Sequence, residues 1–188
     1  MYFELITLAF AAIVYLFLKR TDKNIGRNYI ATFIGVFIFE FFTHPLWINK
    51  VEPWAYIPIP NSPQIDISWV ITLGWTTIVL LAIKIVDSLY PKANERTRFL
   101  GYLGIVTVFG VIAEYFVRLI GVREYDTAVY EALTGKTIGG ILPIEVFYYI
   151  PVFMTLVIAF SKYWSISANS SSQVKSKAKT SKILRREK

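Results

Sequence analysis

Residues 38–44, IFEFFTH, set a glutamate inside an apolar run, and residues 112–118, IAEYFVR, do so again. In each stretch the acid follows an isoleucine by two positions and precedes two aromatics. Four residues further on stands a titratable or basic side chain, His44 after Glu40 and Arg118 after Glu114. Positions i and i+4 share one face of a helix. Each pair is therefore expected to project together, into a bundle interior, because an ionisable group in an apolar span is costly and marks an internal pair or a cavity.

Outward from these stretches the chain stays apolar. Of its 188 residues, 55% are hydrophobic and 16% aromatic, and the mean hydropathy is +0.49. Residues 3–18, 28–47, 67–86, 99–120 and 140–163 each approach the roughly 20 apolar residues that a membrane-spanning helix needs. The expected fold is all-α, a polytopic bundle of about five transmembrane helices over residues 1–164, followed by a basic tail over 165–188. That tail is rich in Ser and Lys and poor in apolar residues, a composition expected to be disordered. The first run has no basic segment before it and no small-residue cleavage site after it, so it reads as a retained helix.

Lys and Arg near span ends stay on the cytoplasmic side. Lys19, Arg20, Lys23 and Arg27 follow the first span, and Lys92, Arg96 and Arg98 follow the third. The prediction is a multi-pass cell-membrane protein with its N-terminus outside and its C-terminus in the cytoplasm. The net charge of +7 then lies mainly on the cytoplasmic side, and no folded basic domain is left to bind nucleic acid. Glu40, Glu52, Asp66, Glu114, Glu124, Asp126, Glu131 and Glu145 fall on the outer connections or in the outer halves of the spans.

The likeness extends into the next span of each half, where IDISWVI (65–71) parallels IEVFYYI (144–150), with Pro63 and Pro143 upstream. Spans two and three thus form one unit and spans four and five another, a parallel repeat about an axis near the membrane normal. At about 1.5 Å per residue, Glu40 lies about 18 Å and Glu114 about 22 Å from the inner ends of their spans. Asp66 and Glu145 begin spans that start outside, so four acids reach a similar level. Among the surrounding aromatics, Trp47, Trp54 and Tyr56 read as the interfacial belt. Trp69, Tyr115, Phe116, Tyr148 and Tyr149 are candidate substrate contacts, because aromatic faces beside an acid stabilise a cation.

A carboxyl group in a dry pocket can hold a proton and deliver it, and a second carboxylate can remove one. The catalytic candidates are Glu40, Glu114, Glu145 and Asp66, with His44 and Arg118 tuning their charge; Glu40, beside a histidine, is favoured as the working acid. Such chemistry suits cyclisation or isomerisation of a membrane lipid or isoprenoid and calls for no metal and no other cofactor. GGILPIEVFYYIP (139–151) resembles the Pro-x-Glu and paired aromatics of the small membrane lycopene cyclases, with Pro143, Glu145, Tyr148 and Tyr149 in the matching places. FEFFTHPLWINKVEPWAY (39–56) is similar in outline to that family's acid-bearing span and its aromatic exit segment. Val146 stands where the family has a second glutamate, and the repeat has two spans rather than three. The resemblance implies a carotenoid or terpenoid cyclase or isomerase.

Two other classes stay open, a proton-coupled transporter and an accessory subunit whose acids hold the bundle together. The inner halves of spans one, three and five read as almost purely apolar, which speaks for a one-sided pocket. A homo-oligomer is also left open. With no cysteine and one histidine, thiolate, iron–sulfur and His-cluster di-iron chemistry are excluded, and TGKTIGG (134–140) lacks the upstream glycine of a phosphate-binding loop.

Overall fold

The computed structural model describes the backbone of residues 2–59 and 66–184; the side chains of 127, 128, 130 and 168–184 lie outside the description, as do Pro63 and Ile65 of the second repeat motif and residues 185–188 of the tail. Five long helices carry the fold: α1 (Tyr2–Lys19), α2 (Ile25–Thr43), α3 (Trp69–Leu89), α4 (Glu95–Leu119) and α6 (Val146–Leu184). All five are long and apolar enough to cross a membrane, the last over Val146–Ser167. The chain is a multi-pass membrane protein of the all-α class. Large apolar side chains stand exposed along these helices, among them Ile6, Ile13, Phe42, Leu100, Tyr148 and Leu156. In water such a surface would drive association; in a bilayer it meets lipid.

Local chemistry sets the helix ends. Ser68 accepts from the amide of Ile71 at 3.3 Å and Asn94 from that of Thr97 at 2.8 Å, each satisfying an orphan donor at a helix start. Pro45 cannot continue α2, which ends at Thr43, short of the expected Trp47. Gly121, at φ 73°, closes α4: its own amide bonds the carbonyl of Arg118 at 3.0 Å, and that of Val122 bonds Val117 at 2.9 Å. This glycine-capped reversal turns the chain back over the bundle. The α6 backbone helix runs on from residue 165 to Leu184.

Helix α2 packs on α3, α3 on α4, α4 on α6, and α6 back on α2, while α1 lies outside this ring against α3. The core runs down its middle through Val36, Val79, Val106, Val146 and Ile158, all fully buried. Gly110 lets α4 approach the Trp75 ring so closely that a Cβ there would stand 2.8 Å from it. Two short strands, β1 (Trp47–Asn49) and β2 (Arg123–Tyr125), cross one end of the ring as an antiparallel ribbon, pairing Trp47 with Tyr125, Ile48 with Glu124 and Asn49 with Arg123. Strand side chains alternate, so Trp47, Asn49, Arg123 and Tyr125 face inward and are buried. A short helix α5 (Thr127–Ala132) and a second ribbon of β3 (Thr137–Ile138) and β4 (Leu142–Pro143) complete this end. It is the end toward which α2 and α4 carry their glutamates; the opposite end carries the basic connections with Lys19, Arg20, Lys23, Lys92, Arg96 and Arg98.

Candidate functional site

Glu40 on α2 and Glu114 on α4 are almost completely buried, and the residue between them is Arg123, itself 2% exposed. Its Nη2 donates to both oxygens of Glu40, at 3.0 and 2.8 Å. Its Nη1 lies 3.7 Å from Glu114, and its Nε donates to Asn49 Oδ1 at 2.9 Å. Asn49 passes the link on, donating to the main-chain carbonyl of Asp66 at 2.8 Å. The guanidinium sits 4.5 Å from the centre of the Trp47 ring, a cation–π contact strengthened by desolvation.

Burial works against the charge on Arg123, but Glu40 and Glu114 outweigh it and hold its pKa above the ordinary value. On the Glu114 side, Tyr125 donates its hydroxyl at 3.1 Å and is bonded to the hydroxyl of Tyr149. Burial, then the Glu114 charge, raises the Tyr125 pKa, so it remains a phenol and a donor. One guanidinium between two carboxylates leaves a negative charge unbalanced unless the cluster binds a proton. Glu40 takes both short contacts; Glu114 is the looser partner.

This corrects the expected pairings. The histidine ring Nδ1 of His44 is 2.8 Å from the Phe41 carbonyl in the turn that ends α2, and the guanidinium that meets Glu40 comes from β2 instead. Arg118 donates to the carbonyls of Arg123 and Ile141 at 3.4 and 3.3 Å and lies 5.2 Å over the Tyr125 ring, buttressing the cluster from outside. Glu145 is held by Thr134, whose hydroxyl and amide donate to it at 2.6 and 2.9 Å; Asp66 joins the cluster through its carbonyl. The four acids therefore share an end of the bundle, but only Glu40 and Glu114 converge on one cation.

Of the aromatic candidates, Tyr149 belongs to the cluster. Trp69 bonds the Trp54 carbonyl at 3.0 Å and packs against that residue's ring at a tilt of 57°. Tyr115 packs under Gly139 and edge-on to Phe116, and Phe116 and Tyr148 are exposed.

A cleft of about 160 Å³ opens between α1, α3 and α4, walled by Phe3, Phe10, Ile71, Trp75 and Ile78, and ending at Glu114 and Arg123. None of the five aromatic candidates lines it. On the other side of the ring, α2 and α6 form a larger groove of about 510 Å³ that is apolar but for Thr43 and has no carboxylate in its lining. Among the described residues, no three His, Asp or Glu side chains converge as a metal-binding set.

Arg123, Asn49 and Tyr125 were not among the sequence candidates, nor was Glu4, a buried acid of α1 that accepts from the Glu52 amide at 2.9 Å. One signal was present. Asn49 follows Glu40 by as many residues as Arg123 follows Glu114, and these four side chains meet. Searches of protein-family models, of curated proteins and of solved structures find no match to the chain.

Proposed function

We propose that the protein admits one end of a long apolar polyene from the bilayer and isomerises or cyclises it, with Glu114 as the acid and base. The observation that carries this reading is the cleft: apolar along its walls, open between α1 and α4, and ending at a buried carboxylate. A void of about 150 Å³ holds a benzene-sized group, so the cleft suits a terminal isoprenoid unit while the remainder of the chain stays in lipid. The cluster's extra proton passes from Glu114 to the terminal double bond. The Trp75 face offsets the carbocation, and loss of a proton from a neighbouring carbon returns it to Glu114. Atoms and electrons balance, and the product is an isomer of the substrate. The likeness of residues 139–151 to the lycopene cyclase motif agrees with this chemistry, though Glu145 itself lies beside Thr134.

The test is expression in a host that accumulates linear polyprenes, with lipid extracts compared for wild type, Glu114→Gln, Glu40→Gln and Glu145→Gln. Wild type should convert a polyene to an isomer of equal mass, and Glu114→Gln should abolish conversion while still yielding folded protein. An unchanged lipid profile with wild type would sink the reading for those substrates.

One observation favours a second reading, that of a structural subunit: Nε and both terminal nitrogens of Arg123 are all engaged within the cluster. In that case Glu114→Gln lowers stability and leaves every lipid as it was.

A further inference from the structure

The opposite end of the bundle contains a polar chamber, although the inner halves of spans one, three and five read as almost purely apolar. It occupies about 300 Å³ between the α1–α2 connection, α3 and α6. Its polar lining is Asp22, Asn28, Lys84, Asp87, Ser161, Lys162 and Ser165, and its apolar wall is Leu18, Ile25, Leu80 and Ile83. The two acids are already engaged. Asp22 accepts from the Asn24 amide and the Asn28 side chain, each at 2.8 Å. Asp87 accepts from Tyr102 and meets Lys162 at 3.5 Å and Arg98 at 3.6 Å. Lys84 is different. It is half-buried and lines the chamber, yet it makes no ion pair or hydrogen bond among the described residues. An ammonium withdrawn from water in the last turns of a span needs an anion.

From this we infer that the chamber binds the phosphate of an anionic membrane lipid, with Lys84 as its principal counter-charge and Lys162 and the two serines as further donors. The observations favour a lipid over free phosphate because Leu18, Ile25, Leu80 and Ile83 form an apolar wall beside the charged groups, which an acyl chain can cover and a free phosphate cannot. The basic connections on this side, with Lys19, Arg20 and Lys23 exposed, draw anionic lipid toward the same surface. The inference is independent of the chemistry proposed at Glu114.

The experiment uses the full chain in neutral detergent, titrated with phosphatidylglycerol, phosphatidylcholine or inorganic phosphate, and reads the thermal midpoint and retained lipid by native mass spectrometry. Phosphatidylglycerol should stabilise and be retained, phosphatidylcholine should not, and Lys84→Gln should weaken the former about fivefold, the contribution of one lysine near an anionic surface. Lys84→Arg should restore binding, and Lys50→Gln, at the far end, should leave it unchanged. Asp22→Asn, which removes a negative charge from the chamber wall, should strengthen it. Equal binding of the two lipids, wild-type binding by Lys84→Gln, or no gain with Asp22→Asn would each overturn the proposal. So would Lys84-dependent binding of inorganic phosphate that displaces phosphatidylglycerol, which would make the ligand a free anion.

Discussion

Arg123 reaches from the ribbon after α4 to Glu40 near the end of α2, its Nη2 donating to both carboxylate oxygens. A guanidinium held in this way ties the two halves of the chain together across one end of the bundle. Replacing Arg123 with Gln leaves two buried carboxylates facing one another with no cation. Breaking a buried pair costs about 3–5 kcal/mol, a large part of the 5–15 kcal/mol that holds a typical domain. Thermal unfolding in detergent should show Arg123→Gln to be the most damaging single change at this end; a variant as stable as wild type would remove the cluster's structural role.

The two glutamates differ in how much they give. Glu40 has two contacts of 3.0 Å or less with Arg123, whereas Glu114 stands 3.7 Å away and relies on the Tyr125 hydroxyl. Glu40→Gln should therefore destabilise more than Glu114→Gln, and the Glu40→Gln/Arg123→Gln double variant should lose less than the sum of its single changes. A double-mutant cycle of denaturant midpoints measures that coupling. An additive result would mean that the pair does not interact.

Gly110 offers a steric prediction. A Cβ at this position would meet Trp75 at 2.8 and 2.9 Å and Ile150 at 3.2 Å, and an indole ring wedged between helices has little room to move. Gly110→Ala should cost about 1–3 kcal/mol through overpacking, visible as a lowered thermal midpoint. Because Trp75 also walls the cleft, the same change should reduce whatever the cleft binds. Wild-type stability in this variant would show that α3 and α4 are less closely apposed.

Glu145 gives stability a pH dependence of defined sign. The Thr134 hydroxyl, then its amide, hold the Glu145 carboxyl below the ordinary carboxylate value. A depressed folded-state pKa contributes stability that is present above the unfolded value, about 4.3 for Glu, and is lost as pH falls through the folded one. Wild type should exceed Glu145→Gln in thermal midpoint at neutral pH, and the gap should close as the solution is acidified below about pH 4. A gap that widens in acid would contradict the assigned contact.

Hydropathy exposed the five helices because a spanning segment must satisfy its backbone internally and cover it with apolar side chains. Glu40 and Glu114 stood out for the same reason, as charges where charge is costly. Arg123 did not. It lies in a polar connection where a basic residue looks ordinary, and its burial depends on β1 pairing with β2, a contact between segments far apart in sequence. The Gly121 cap that turns it inward was equally quiet, since a glycine after a helix is common. His44 shows the converse error: the i+4 spacing placed it beside Glu40 on an ideal helix, but Pro45 ends the helix there and the ring turns to a main-chain carbonyl.

The final prediction concerns which way the bundle faces. The glutamate end carries Glu124 paired with Lys50 at 2.8 Å on the surface, while the α3–α4 connection at the other end carries Lys92, exposed. Basic connections are retained in the cytoplasm, so the prediction is Lys92 inside and Glu124 outside. The natural chain has no cysteine, so single-cysteine variants report without background. In intact cells an impermeant maleimide should label Glu124→Cys and should reach Lys92→Cys only after the membrane is opened. The opposite pattern would invert the topology, putting Glu114 and its cleft in the inner leaflet and the Lys84 chamber in the outer one. An anionic-lipid site would then face the leaflet poorer in such lipids, so the labelling result also bears directly on what that chamber can bind.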